Sequence, residues 1–323
     1  MIILSLSELK KRTMLIDLDV KTYRHYFPDN PHPFLREDFL KLNEWKCNRI
    51  VRLTEDKPKK ELGLIAGVKD GMLLSHFSAP FGGFHFRNEL VYTSEIDGFL
   101  SSLKDYIKSS DINGIEIILP PDLYHTTFNA KMINSFIRGG FTSFLPEITG
   151  WIDLRLFSGE FIQKNSREYY RQAIRSGLSF SVIHDIEERK SAYDLIRLNR
   201  QKFNRPIYMT FNDIMDTGML WQVDFFKVVD KDGNMLASAI FYQSSTDICH
   251  AAFWGDNDLG RPLRAIDFLA HNLWNFYKES GFRYIDVGIS TEAGYPNEGL
   301  IRFKESHNAI SSLKYKFSWH KNN

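Results

Sequence analysis

The sequence is poor in cysteine, in charge of one sign and in long apolar runs. Its two cysteines, Cys47 and Cys249, stand far apart and lack the companions a metal site needs. A disulfide framework is therefore not expected, and two free thiols fit a reducing cytoplasm. Lys and Arg number 41 against 40 Asp and Glu. No overall field draws such a chain to DNA, although a local basic patch stays open. No apolar run approaches the ~20 residues that span a bilayer. The apolar residues 1–6 precede Lys10-Lys11-Arg12, the reverse of a signal peptide's order. Metal-ligand spacing, a P-loop and a nucleophile elbow are also missing, so no metal is expected.

What is present is a chain of 323 residues, long enough for two domains with full cores. Its 43% hydrophobic and 25% charged residues are those of a globular protein. The most legible stretch is 247–320. Residues 248–254 read as an apolar strand, followed by a loop and then Arg261-Pro262, where Pro suits a first helical turn. Leu263, Ile266, Leu269, Ala270, Leu273, Trp274 and Tyr277 recur at the helical period. Gly281 stands at the C-cap, 284–289 reads as a buried strand, and Asn297 can cap a helix over 298–307. Residues 313–319 alternate as a final strand.

A helix between two strands makes a right-handed parallel crossover, so its N-terminus faces the crevice beyond the strand ends. Free N–H groups there, with Arg261 and Arg264 beside them, predict a phosphate-binding donor site. Trp254 and Gly260, on the approach to that helix, belong to the same expected site.

Earlier in the chain, helices are predicted over 34–45, 95–109 and 128–138, and strands over 48–54, 62–67, 72–77, 115–119 and 148–156. A strand over 179–184, helices over 191–203 and 211–221, and a hairpin of 225–229 with 235–242 follow. Both halves end in helix, buried strand, helix, strand. The reading is a mixed α/β protein made by degenerate duplication, with domains 1–156 and 157–323.

Mixed strands with a central hairpin and one parallel crossover resemble the GNAT acyltransferase fold. Two in tandem resemble the Fem peptidyltransferases and their FemAB-like relatives, over nearly the whole chain. Three segments carry the likeness. Asn165-Ser166-Arg167-Glu168-Tyr169-Tyr170-Arg171-Gln172-Ala173-Ile174-Arg175-Ser176-Gly177-Leu178 looks like the basic helix and Gly turn that open the family's second domain. Glu298-Gly299-Leu300-Ile301-Arg302-Phe303-Lys304-Glu305 looks like its Gly-Leu-x-x-Phe-Lys signature. Pro120-Pro121 with Ile137-Arg138-Gly139-Gly140-Phe141 is similar to the end of its first domain. The resemblance implies two tandem GNAT-like domains. It also implies transfer of an acyl or aminoacyl group from acyl-CoA or aminoacyl-tRNA, as co-substrate, to a small-molecule or peptide amine. A module that kept the fold and lost the chemistry is the alternative. The acetyl-CoA loop pattern of ordinary GNAT enzymes is replaced by Asn257-Asp258-Leu259-Gly260-Arg261-Pro262.

Each candidate residue has two readings. Lys304 either holds a phosphate or oxyanion or is a solvated helix lysine. His307 is either a general base or a helix-end histidine; His250 reads as a core or cleft residue. Asp286 either accepts hydrogen bonds at a strand end or anchors a substrate amine. Phe81-Gly82-Gly83 either lets a substrate backbone approach or makes a tight turn. The basic residues 167–175 make a solvated face or meet a nucleotide or tRNA end.

Overall fold

The computed structural model describes residues 13–243 and 245–322. The leading stretch 1–12, read above for its charge order, lies outside the described residues. Two compact units emerge, Met1–Pro146 with Leu313–Asn323, and Glu147–Ser312. The first contains β1 (Leu15–Asp17), α1 (Val20–Tyr26), α2 (Glu37–Asn43), β2 (Arg49–Glu55), β3 (Leu62–Lys69), β4 (Met72–Leu74), β5 (Phe84–Phe86), α3 (Thr93–Ser109), β6 (Gly114–Ile118), α4 (Asp122–Arg138) and β7 (Thr142–Ser143). Then come β8 (Glu147–Asp153), α5 (Lys164–Arg175), β9 (Ser179–Val182), α6 (Ile186–Lys202), α7 (Phe211–Thr217), β10 (Val223–Val229), β11 (Met235–Tyr242), β12 (Ile248–Asp256), α8 (Ala265–Glu279) and β13 (Tyr284–Ile289). A small hairpin, β14 (Thr291–Glu292) and β15 (Tyr295–Pro296), leads to α9 (Glu298–Ser306), β16 (Ile310–Lys314) and β17 (Lys316–His320).

The large sheets run β1-β2-β3-β4-β6-β17-β7, with β5 also on β3, and β16-β8-β13-β12-β11-β10-β9. Each contains one parallel pair bridged by a helix: β4 with β6 across α3, and β12 with β13 across α8. This is the duplication that the repeated element order predicts. Each sheet has its own core. Ile96, Phe99, Leu103 and Ile107 of α3 are buried in one; Leu269, Leu273, Trp274 and Tyr277 of α8 are buried in the other. α8 ends where Gly281, at φ +87°, turns the chain through a conformation that side chains disfavour.

Two strands lie elsewhere than their place in the sequence suggests. β8, expected to close the first domain, pairs antiparallel with β13 in the second sheet. β17, expected to close the second, pairs antiparallel with β6 and β7 in the first. A boundary at residues 156 and 157 therefore does not follow the sheets. Alternation shows that a stretch is a strand but not which edge it joins. α1 went unread because it is short and carries only one buried residue, Tyr23; its N-cap Asp19 accepts from the Thr22 N–H. Among the described residues no helix is long and apolar enough to cross a membrane.

Candidate functional site

In the second unit the parallel strands pair only over 248–250 and 284–286. Beyond that point β12 follows β11, with a register shift that skips Ala252, while β13 follows β8. The two strands part, and the residues at the parting are the ones the sequence flags.

Asp286 is 1% exposed, and its Oδ1 accepts the Gly288 N–H at 2.9 Å. That bond closes a bulge against β8 in which Val287 is the extra residue. Gly288 takes φ +69°, a left-handed conformation that glycine adopts without strain. The bulge turns the carbonyls of Gly288 and Ile289 toward α9, where Lys304 Nζ donates to both at 2.8 Å. Lys304 is thus a buried lysine, 5% exposed, and not a solvated one. Burial lowers its pKa to about 7; Asp286 opposes that shift and the charge of Arg200 adds to it. Asp286 Oδ2 lies 3.1 Å from His250 Nδ1, a partner for which the sequence offers no signal beyond alternation in an apolar strand.

His307 is held on every side. Its Nε2 lies 3.0 Å from Asp267 Oδ1, its Nδ1 lies 2.6 Å from the Phe303 carbonyl, and its own carbonyl accepts the Trp274 indole N–H at 2.9 Å. This arrangement favours a strut between α8 and α9 over the general base. Asp267 was missed as a partner, although an acidic residue in a first helical turn was visible in the sequence. Trp254 is half-buried, with ring centroids 5.5 Å from Phe303 and 6.0 Å from Trp274.

The expected donor loop looks different from its prediction. α8 begins at Ala265, not Arg261, and Arg264 caps it at φ +61°. The N–H groups of Gly260, Arg261, Leu263, Arg264 and Ala265 all donate within the loop, to Asn257 Oδ1 and to the carbonyls of Asn257, Gly260 and Arg261. Arg261 lies 3.4 Å from Asp256 and 3.6 Å from Asp258, and Arg264 stacks 3.7 Å over the Tyr169 ring. Gly260 has a packing reason: a Cβ there would meet the Leu236 carbonyl at 2.6 Å. The amides expected to cradle phosphate are therefore already engaged.

In the first unit, Phe81 is buried among His32, Phe34 and Tyr124, with ring centroids about 5 Å away in each case. A Cβ at Gly82 would lie 2.0 Å from the Ser75 carbonyl oxygen, and Gly83 takes φ +113°. Tight-turn chemistry explains both glycines. Gly82→Ala is expected to destabilise the protein by ~2 kcal/mol or more, read as a lowered melting temperature. An unchanged melt would show that the turn relaxes freely.

Two mixed-sheet units, each with a helix-bridged parallel pair, define a tandem GNAT fold. No family model matches the sequence, and no curated protein matches it. Solved structures do match in three dimensions. A crystal structure of FemX superposes with TM-score 0.66 over 95% of this chain and 97% of its own, at 10% identity. L-PGS from Bacillus licheniformis gives 0.54 over 95% and 93%, at 13% identity. A tandem GNAT protein from the clavulanic acid biosynthesis pathway gives 0.51 over 95% and 98%, at 10% identity. The chain has a tandem GNAT fold, shared in three dimensions with these structures.

Proposed function

We propose that this chain is an N-acyltransferase that moves an acyl or aminoacyl group onto an amine, with Lys304 as proton acceptor. One observation carries the reading: a lysine of near-neutral pKa sits where β12 and β13 part, fixed through two N–H bonds. The third position on Nζ carries a proton below about pH 7 and a lone pair above it. In the reaction the amine nitrogen bonds to the donor carbonyl carbon, and the carbon–oxygen or carbon–sulfur bond to the leaving group breaks. The proton shed by the amine passes to Lys304, and one proton is returned to the leaving group. A base with pKa close to the working pH suits such a transfer, and burial is the main cause that brings this lysine there. The fixed positive charge expected from the sequence gives way to a group that titrates.

The engaged loop amides favour an aminoacyl ester, such as aminoacyl-tRNA, over acyl-CoA, whose pyrophosphate needs free donors. On α5, Arg171 is more than half exposed, with Glu168 3.9 Å away, and is the residue that would meet an RNA backbone. Native mass spectrometry with acetyl-CoA and with aminoacyl-tRNA, followed by an amine-transfer assay, tests this. The expected result is a complex with the tRNA and roughly tenfold or weaker retention of the CoA ester. Binding of both without transfer to any amine would instead support a module that has kept only the fold.

A further inference from the structure

The second unit holds a half-buried arginine to which the transfer chemistry assigns nothing. Arg200 stands in the last turn of α6, and its Nε is closed to water without a hydrogen-bond partner among the described residues. Its Nη nitrogens have no partner among the described residues either, and no carboxylate there pairs with them. Unlike Nε, they are not sealed, so the guanidinium is open on its Nη side. A helix C-terminus favours a cation, yet Arg200 bonds none of the last carbonyls of α6. The helix dipole therefore does not explain why this guanidinium is held half-buried.

Its neighbours carry the same sign. The Arg205 N–H donates to the Arg200 carbonyl at 2.9 Å. Burial first, and the charge of Arg205 second, push the Arg200 pKa down. Arg205 already has a carboxylate, Glu292 at 3.7 Å, on the hairpin that follows β13. Burial lowers the Lys304 pKa and the charge of Arg200 reinforces it, so those two side chains stand close. A half-buried cation left unpaired beside two others costs stability until an anion meets it.

We propose that the open Nη side of Arg200 takes a carboxylate of the amine acceptor, so that the acceptor is an amino acid or a peptide amine with a carboxylate nearby. A carboxylate matches one guanidinium with two oxygens and a single charge. A phosphate would bring a second charge toward Glu292. The amine comes from the transfer reading above, whereas the carboxylate site stands on Arg200 alone.

The test uses the full chain and four probes: 4-aminobutyrate, 4-aminobutyramide, 3-aminopropylphosphonate and adenosine monophosphate, the last standing for the donor's nucleotide. Ionic strength is held fixed, because salt screens exposed charges. Binding is read by ligand-observed NMR and by the Arg200 Nε–H resonance, which slow exchange with water keeps visible. 4-Aminobutyrate is expected to bind with a Kd on the order of millimolar and to move that resonance. Its amide should bind about tenfold more weakly, since it loses the charge-assisted bond. The phosphonate should bind no more tightly than the carboxylate.

Arg200→Met keeps most of the stem and removes the charge. It should weaken 4-aminobutyrate by about tenfold, leave the amide unchanged and melt no lower than the unaltered protein. The Lys304 titration, followed at its Cε by NMR, should move up in this variant as the neighbouring charge goes. Equal binding of 4-aminobutyrate and its amide would overturn the proposal. So would tighter binding of the phosphonate or of adenosine monophosphate, which would give the site to a phosphate. A sharp fall in the variant's melting temperature would make Arg200 a structural cation, and an unmoved Lys304 titration would put it too far away to share a substrate. A protein that binds 4-aminobutyrate through Arg200 and transfers nothing onto it would lose the transferase reading and keep this site.

Discussion

Lys304→Met slows amine transfer by about a hundredfold, because a positioned base contributes at least that much. The pH profile of the unaltered protein rises through pH 7 as Nζ loses its proton, and the variant's profile lacks that limb. Lys304→Arg separates the two roles a cation can have here. Arginine can still donate to the Gly288 and Ile289 carbonyls but stays charged at every working pH, so it too should be slow. A fast Lys304→Arg enzyme would return the site to a fixed positive charge. Stability titrates in the same direction. The folded pKa lies below the unfolded value, so the unfolded chain binds the proton more tightly. The protonated lysine therefore lowers stability below pH 7. Stability should rise by up to about 1.4 kcal/mol per pH unit between about pH 7 and pH 10, and this slope should vanish in Lys304→Met.

Asp267→Ala is expected to destabilise the protein by about 3 kcal/mol, roughly a 10 °C fall in melting temperature, while transfer per folded molecule stays normal. The cause is the orphaned imidazole: His307 is 1% exposed and relies on Asp267 and the Phe303 carbonyl for partners. His307→Ala should give a similar loss, since it strands the Asp267 carboxylate instead. The double variant should cost less than the sum of the two, because the pair shares one interaction. A His307→Ala protein that melts normally and transfers nothing would restore His307 as the base.

Much of the second unit was legible because its elements announce themselves locally. Residues 235–242 and 284–289 match β11 and β13 end for end, since apolar runs between turn residues leave little choice. Lys304 and Asp286 were also picked out from sequence. Their link was not, because it passes through two backbone carbonyls exposed by a bulge, and a bulge has no period to read. Arg261 and Arg264 misled for a related reason. Pro262 pointed to a helix starting there, but Arg264 at φ +61° delays it to Ala265.

The exchange of β8 and β17 bears on how the protein is made. β6 needs β17 as its neighbour, and their paired residues Gly114 and His320 stand roughly two hundred positions apart. During synthesis the first sheet must wait, with one side of β6 open, until the whole second unit has been produced. Such an unpaired edge invites strangers. The nascent chain is therefore most vulnerable to aggregation in the interval before residues 316–320 emerge, and loss of those few residues should harm the first unit, whose other strands are made long before them.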